Sequence, residues 1–172
     1  RAYIAIALNL GIAEIEQALE HTNLSLTALE QQDYVDVAVA VQIVHNVDKY
    51  SNDPAWPVNL GTLLGTSSHG PVGYAALSAP SVGKALTTFL QWFQLRCNVY
   101  KASITESVDS FEIAIDDTTG DDLFKKVFFS AFVRALEVLV ELLLGKLPEN
   151  ELAIHFQSSN FLPPEKFKTA YL

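Results

Sequence analysis

The sequence predicts an α+β fold, a helical N-terminal part followed by a small antiparallel sheet packed with long helices. Three observations predict it. Apolar residues recur at helical spacing through residues 1–60. The pattern changes to strict alternation between Tyr100 and Ile115, the mark of strands with one buried face. It then returns to a long, densely apolar helical run over residues 122–144.

The elements follow in order. Residues Ala2 to Asn9 are apolar at helical spacing, and Gly11 ends that helix. Ile12, Ile15, Ala18 and Leu19 define a second helix, which His21-Thr22-Asn23 breaks. Ser25 caps a short helix through Leu29. This outline imitates a DNA-binding helix-turn-helix. However, no Lys or Arg occurs between Ala2 and Asp48, where Glu14, Glu16, Glu20, Glu30, Asp33 and Asp36 all occur. Such a face repels phosphate. Tyr34 to Tyr50 reads as a longer helix, with a strand as the alternative because of its β-branched density. Ser51 to Pro54 is a turn, and a short helix over Trp56–Leu64 follows. Gly61, Gly65, Gly70 and Gly73 mark a tightly folded connector. Ser81 caps a helix whose apolar face carries Val82, Ala85, Leu86, Phe89, Phe93 and Cys97.

Tyr100, Ala102 and Ile104 then pair as a hairpin with Phe111, Ile113 and Ile115. Asp121 and Asp122 start the long helix, Gly145 ends it, and Phe128 and Phe132 are core residues. Its apolar residues reach almost all the way round, so it must be covered on more than one side. Leu152, Ile154 and Phe156 read as a third strand, and Pro163-Pro164 as the start of a last helix reaching Leu172.

A length of 172 residues makes one domain, with a helical part (1–60) and a helix–hairpin–helix–strand–helix part (61–172). A net charge of −9, from 20 acids against 11 bases, argues against duplex DNA or an anionic membrane as a direct partner. The single cysteine, Cys97, excludes an internal disulfide and fits a reducing compartment. On an apolar helix face it reads as a packed hydrophobe. Arg1 is not followed by an apolar run ending in a cleavage site. The chain begins without Met and in mid-pattern, so a piece of a longer protein is expected. Val127 to Leu144 has membrane length, but Arg134, Glu137 and Glu141 interrupt it. Each would cost roughly 2.5–3.5 kcal/mol at a bilayer centre, so a buried helix is predicted.

The stretch HGPVGYAALSAPSVGKALTTFLQWFQL carries more than secondary structure. Through Gly70, Gly73, Tyr74, Ala75, Ser81, Ala85, Leu86 and Trp92 it resembles the arabinose-binding-type N-terminal domain of AraC/XylS-family transcriptional regulators. The resemblance spans nearly the whole chain. These small and apolar residues record a fold more than a chemistry. The resemblance implies a cytoplasmic regulatory domain that senses a small-molecule effector, forms a homodimer, and reaches DNA only through a C-terminal helix-turn-helix domain absent from this chain.

No catalytic constellation accompanies it. There is no nucleophile elbow, HExxH, P-loop or dinucleotide fingerprint. Ser67, Ser68 and His69 are neighbours in sequence, with no acid placed to orient the histidine, and read as a polar turn. His45 lacks a partner at metal-ligand spacing. The aspartates of 116–122 lack EF-hand spacing and read as a capping loop. No enzyme, metal or cofactor is predicted. A binding cavity is the better candidate, built from Tyr74, Phe89, Trp92, Tyr100, Phe132 and His155, with Phe93 and Phe128 beside them. The same residues also read as core and interface. No sugar site, with clustered acids, amides and aromatics, is visible.

Three functions remain open at this point: an effector-sensing regulatory domain, a dimerisation scaffold without ligand, and a small hydrolase using Ser67 or Ser68 with His69. Excess apolar surface, including Leu136, Leu139, Leu143 and Leu144, favours a two-fold dimer. The charge makes one prediction directly. The chain should leave the anisotropy of a labelled duplex unchanged at low salt, and salt-sensitive micromolar binding would contradict it.

Overall fold

A computed structural model describes residues 14–64, 71–108, 110–146, 153–155 and 170–171. The helix expected at Ala2–Asn9, Ile12, the Ser67–His69 turn, Leu152, Phe156 and the helix start at Pro163 lie outside these residues.

Two short helices, α1 (Ile15–Ala18) and α2 (Leu26–Gln31), are joined by a turn in which His21 and Asn23 have φ of 61° and 57°. Ser25 caps α2 by accepting from the Ala28 amide at 3.1 Å. The ambiguous segment is a helix, α3 (Val37–Tyr50). Asp36 starts it, its carboxylate accepting from the Ala38 amide at 2.8 Å. Tertiary contact outweighs the weak propensity of its valines. Buried Asn46 donates to the carbonyls of Ala18 at 3.1 Å and Glu20 at 2.7 Å, so α1 and α3 share an anchor. Helix α4 (Trp56–Leu63) follows, and the Trp56 indole donates to Asp48 Oδ1 at 3.1 Å.

Of the four glycines expected to mark a connector, Gly65 and Gly70 lie outside the described residues and the other two are helical. Gly61 lies inside α4, and Gly73 lies inside a further helix, α5 (Pro71–Leu77). Pro71 opens α5, where its fixed φ suits a first helical residue. Helix α6 (Val82–Arg96) starts at Ser81, which accepts from the Lys84 amide at 3.2 Å. Cys97 is not on its face; it ends the helix in an extended conformation.

Strands β1 (Tyr100–Glu106) and β2 (Phe111–Asp117) pair antiparallel, with Tyr100 opposite Asp117 and Ile104 opposite Ile113. The long helix α7 (Asp122–Leu144) is capped by Asp121, which accepts from the Phe124 amide at 2.8 Å, and by Gly145 at φ 75°. His45 on α3 meets the same Asp121 carboxylate at 2.9 Å. Two expectations near the C-terminus need correcting. Ala153–Ile154 (β3) does not join the hairpin, but pairs in parallel with Ala170–Tyr171 (β4) as a separate sheet. Ala170 and Tyr171 are therefore strand where the last helix was expected to end. The reason is pairing: two residues with a neighbouring strand satisfy their backbone groups without a helix.

Helix α7 runs through both hydrophobic clusters. Val127 and Ala131 belong to the first, with Leu29, Ile43, Val47 and Trp56. Phe132, Leu139 and Val140 belong to the second, with Phe89, Leu90 and Phe93. This explains the nearly all-round apolar pattern: the helix is covered by the helical part on one side and by α6 and the hairpin on the other. Leu139, considered for a dimer surface, is only 2% exposed and is internal core.

The contact of α4 with α7 is unusually close. A Cβ on Gly61 would fall onto the Ala131 carbonyl oxygen and 2.7 Å from Arg134 Cβ. Beside it, Arg134 Nε donates to Thr62 Oγ1 at 3.1 Å, and Arg134 pairs with Glu137 at 2.9 Å, whose side chain is 1% exposed. In an exposed helix, Gly→Ala stabilises by about 1 kcal/mol. Here Gly61→Ala should have the opposite sign and cost about 2 kcal/mol or more by overpacking against backbone. Urea unfolding of the two proteins checks it, and a Gly61→Ala variant as stable as the parent contradicts the close contact.

Candidate functional site

The two clusters do not close completely on each other. Between them lies a cavity of about 250 Å³. The helical part supplies Ile43, Val44, Val47, Trp56 and Leu60. Helix α6 supplies Phe89, Trp92 and Phe93, and α7 supplies Val127, Phe128, Ala131 and Phe132. The aromatic wall is continuous. Phe93 lies 5.2 Å from Phe132 and 5.4 Å from Phe128 between ring centroids, and Phe128 lies 5.6 Å from Phe132. Such spacings are those of tilted and offset aromatic packing.

Polar groups are segregated from this interior. Asp33 and Tyr34, in the connection before α3, and Arg96 and Asn98, at the end of α6, line the cavity and are exposed, so they form its rim. The guanidinium of Arg96 lies over the Trp92 ring, 5.5 Å from its centroid, a cation–π contact. The Trp56 indole N–H is already engaged by Asp48 and is not offered to the cavity.

The six residues predicted from sequence separate into three groups. Phe89, Trp92 and Phe132 are brought together in the cavity wall. Tyr100 stands behind it, stacked on Phe128 at 3.4 Å and packed against Phe93, but does not line the space. Its hydroxyl is buried without a hydrogen-bond partner among the described residues, and burial pushes its ionisation well above the usual tyrosine range. Tyr74 is 66% exposed on α5 and His155 is exposed after β3; neither lines the cavity. Sequence reasoning missed the whole contribution of the helical part and the rim pair Arg96 and Asn98. The available signals were the second apolar face of α3, at Ala40 and Val44, and a lone cation closing an aromatic-rich helix.

The remaining candidates have structural partners. Asp117 accepts from the Thr119 amide at 3.0 Å, the Thr119 hydroxyl at 2.7 Å and the Gly120 amide at 3.3 Å, so its carboxylate folds a turn. Burial acts to raise the pKa of Asp121, but the Phe124 amide and His45 outweigh it and hold the carboxyl below its ordinary value. Among the described residues no cluster of His, Cys, Asp or Glu is arranged to hold a metal. No described helix is long and apolar enough to cross a membrane.

Cys97 lines the cavity, and burial pushes its thiol pKa up. The thiolate is the reactive form. Cys97 should therefore react with a disulfide reagent at pH 8 several-fold more slowly in the native chain than in the urea-unfolded chain. Equal rates would place the thiol in solvent.

No curated protein matches this chain. The family model of the arabinose-binding domain of AraC transcription regulators, N-terminal, matches residues 13–160, which takes in α1 to α7, the hairpin and the cavity between them. The chain belongs to this family of N-terminal regulatory domains of AraC-type transcription regulators.

Proposed function

We propose that this chain is one effector-sensing domain, which controls a DNA-reading domain located elsewhere in its protein. The observation that carries this reading is the cavity walled jointly by the helical part and by α6 and α7. A ligand there touches both halves at once. Its affinity then depends on how the halves sit against each other, and such differential affinity is what shifts a conformational equilibrium. The family supports the same reading, since it is a ligand-binding regulatory family and not an enzyme family. A thermal-shift screen against a panel of small metabolites tests it. A binder at about one hundred times its Kd should stabilise the fold by about 2.7 kcal/mol. Val44→Phe, which fills the cavity from α3, should remove that shift while preserving the fold by circular dichroism. A shift that survives the substitution would place the ligand elsewhere.

Self-association is part of the proposal. Leu142 and Leu144 at the end of α7 are 56% and 49% exposed. Exposed leucines at the end of one helix support a two-fold contact between copies. Sedimentation velocity at tens of micromolar should show a dimer, and Leu142→Glu should return it to monomer. A parent chain that sediments as a monomer would remove this part of the reading.

A further inference from the structure

The chemistry of the cavity narrows its occupant, on the reading that the cavity is the effector site. Its volume of about 250 Å³ lies just below the roughly 300–1,000 Å³ of pockets that take drug-sized ligands, so it suits a smaller molecule. The buried lining offers aliphatic and aromatic carbon, as at Ile43, Val47, Phe89, Phe93 and Phe132. A sugar would bring several hydroxyls into this space and leave them without partners, at about 1–3 kcal/mol each. A hydrocarbon or aryl body would not.

The rim then decides the polar end. Arg96 lies over Trp92, itself a wall residue, at cation–π distance, and makes no ion pair with any described residue. Its planar guanidinium presents paired N–H donors, which match a carboxylate. Asn98 lies two residues on, at the same rim, and adds an amide. Asp33 also reaches the rim, but from an exposed connection and without a described contact that fixes it. The rim charge that touches the cavity wall is therefore the positive one.

We propose that the cavity binds a small apolar monocarboxylate, its acyl or aryl body among the phenylalanines of α6 and α7 and its carboxylate on Arg96. This conflicts with a sugar effector, whatever the family is called.

The chain has a built-in reporter, because Trp56 and Trp92 are its only tryptophans and both line the cavity. Intrinsic fluorescence titrations with octanoate, 1-octanol, octylamine and L-arabinose test the proposal. Octanoate should bind tightest and saturably, and Val44→Phe should abolish its signal. Arg96→Gln should weaken octanoate by about ten-fold or more, the usual scale for a charge-assisted hydrogen bond, and leave 1-octanol unchanged. Equal binding of octanoate and 1-octanol overturns the role of Arg96 and leaves the cavity as an apolar effector site. Tightest binding of octylamine overturns the anionic class in favour of Asp33. Tightest binding of arabinose overturns the apolar class. Failure of all four to perturb either tryptophan overturns the ligand class proposed here, and the metabolite screen with Val44→Phe separately decides whether the cavity is a site at all.

Discussion

The structure depends on the approach of α4 to α7 at Gly61. Without a side chain there, the two helices meet backbone to backbone at Ala131, closer than any residue with a Cβ allows. That contact fixes where the helical part sits on the spine of the domain. Trp56 and Leu60 on the same helix are thereby held against Val127 and Ala131, and the first core forms around them. The position of the cavity follows. Its walls are the surfaces that α3, α4, α6 and α7 leave facing each other once Gly61 has set the spacing.

The Arg134–Glu137 pair beside this contact lies within α7 and orients the Arg134 guanidinium, which also meets α4. Both side chains are largely removed from water, at 13% and 1% exposure. Desolvating two charges commonly offsets what their attraction returns, so such a pair adds little net stability. Leaving one partner alone is expensive, however, and Arg134 Nε also needs Thr62 Oγ1 on α4. Sliding α4 along α7 would break that hydrogen bond while the ion pair stayed intact within α7. The close contact at Gly61 sets the distance between the two halves, and the Arg134–Thr62 hydrogen bond favours one register.

Much of the architecture was legible in the sequence because it rests on local signals. Ser25, Ser81 and Asp121 each cap the helix they precede, and the alternation from Tyr100 to Ile115 marked the hairpin, whereas Asp36 went unread and its helix was expected to begin at Tyr34. What stayed hidden depends on long-range contact. Gly61 and Gly73 looked like parts of a connector, because a glycine inside a helix and one needed for a turn are the same letter. The strand pairing of Ala153–Ile154 with Ala170–Tyr171 joins segments that carry no signal of each other. For the candidate site, aromatic content pointed to Phe89, Trp92 and Phe132 but also to Tyr74 and His155, which lie outside the cavity. Aromatic residues mark burial in general. Only the packing of α3 against α7 shows which of them border an unfilled space, and that packing is invisible in any single helix.

An unfilled space of this size is itself informative. The space is open to solvent at the rim formed by Asp33, Tyr34, Arg96 and Asn98, so water enters it, but water has no hydrogen-bond partners among Ile43, Val47 and Phe132 and is poorly held there. Small rearrangements could have filled the gap: a larger residue at Ala40, Ala131 or Ala135, all of which line it. Small side chains at the positions where large ones would close the core keep the space open.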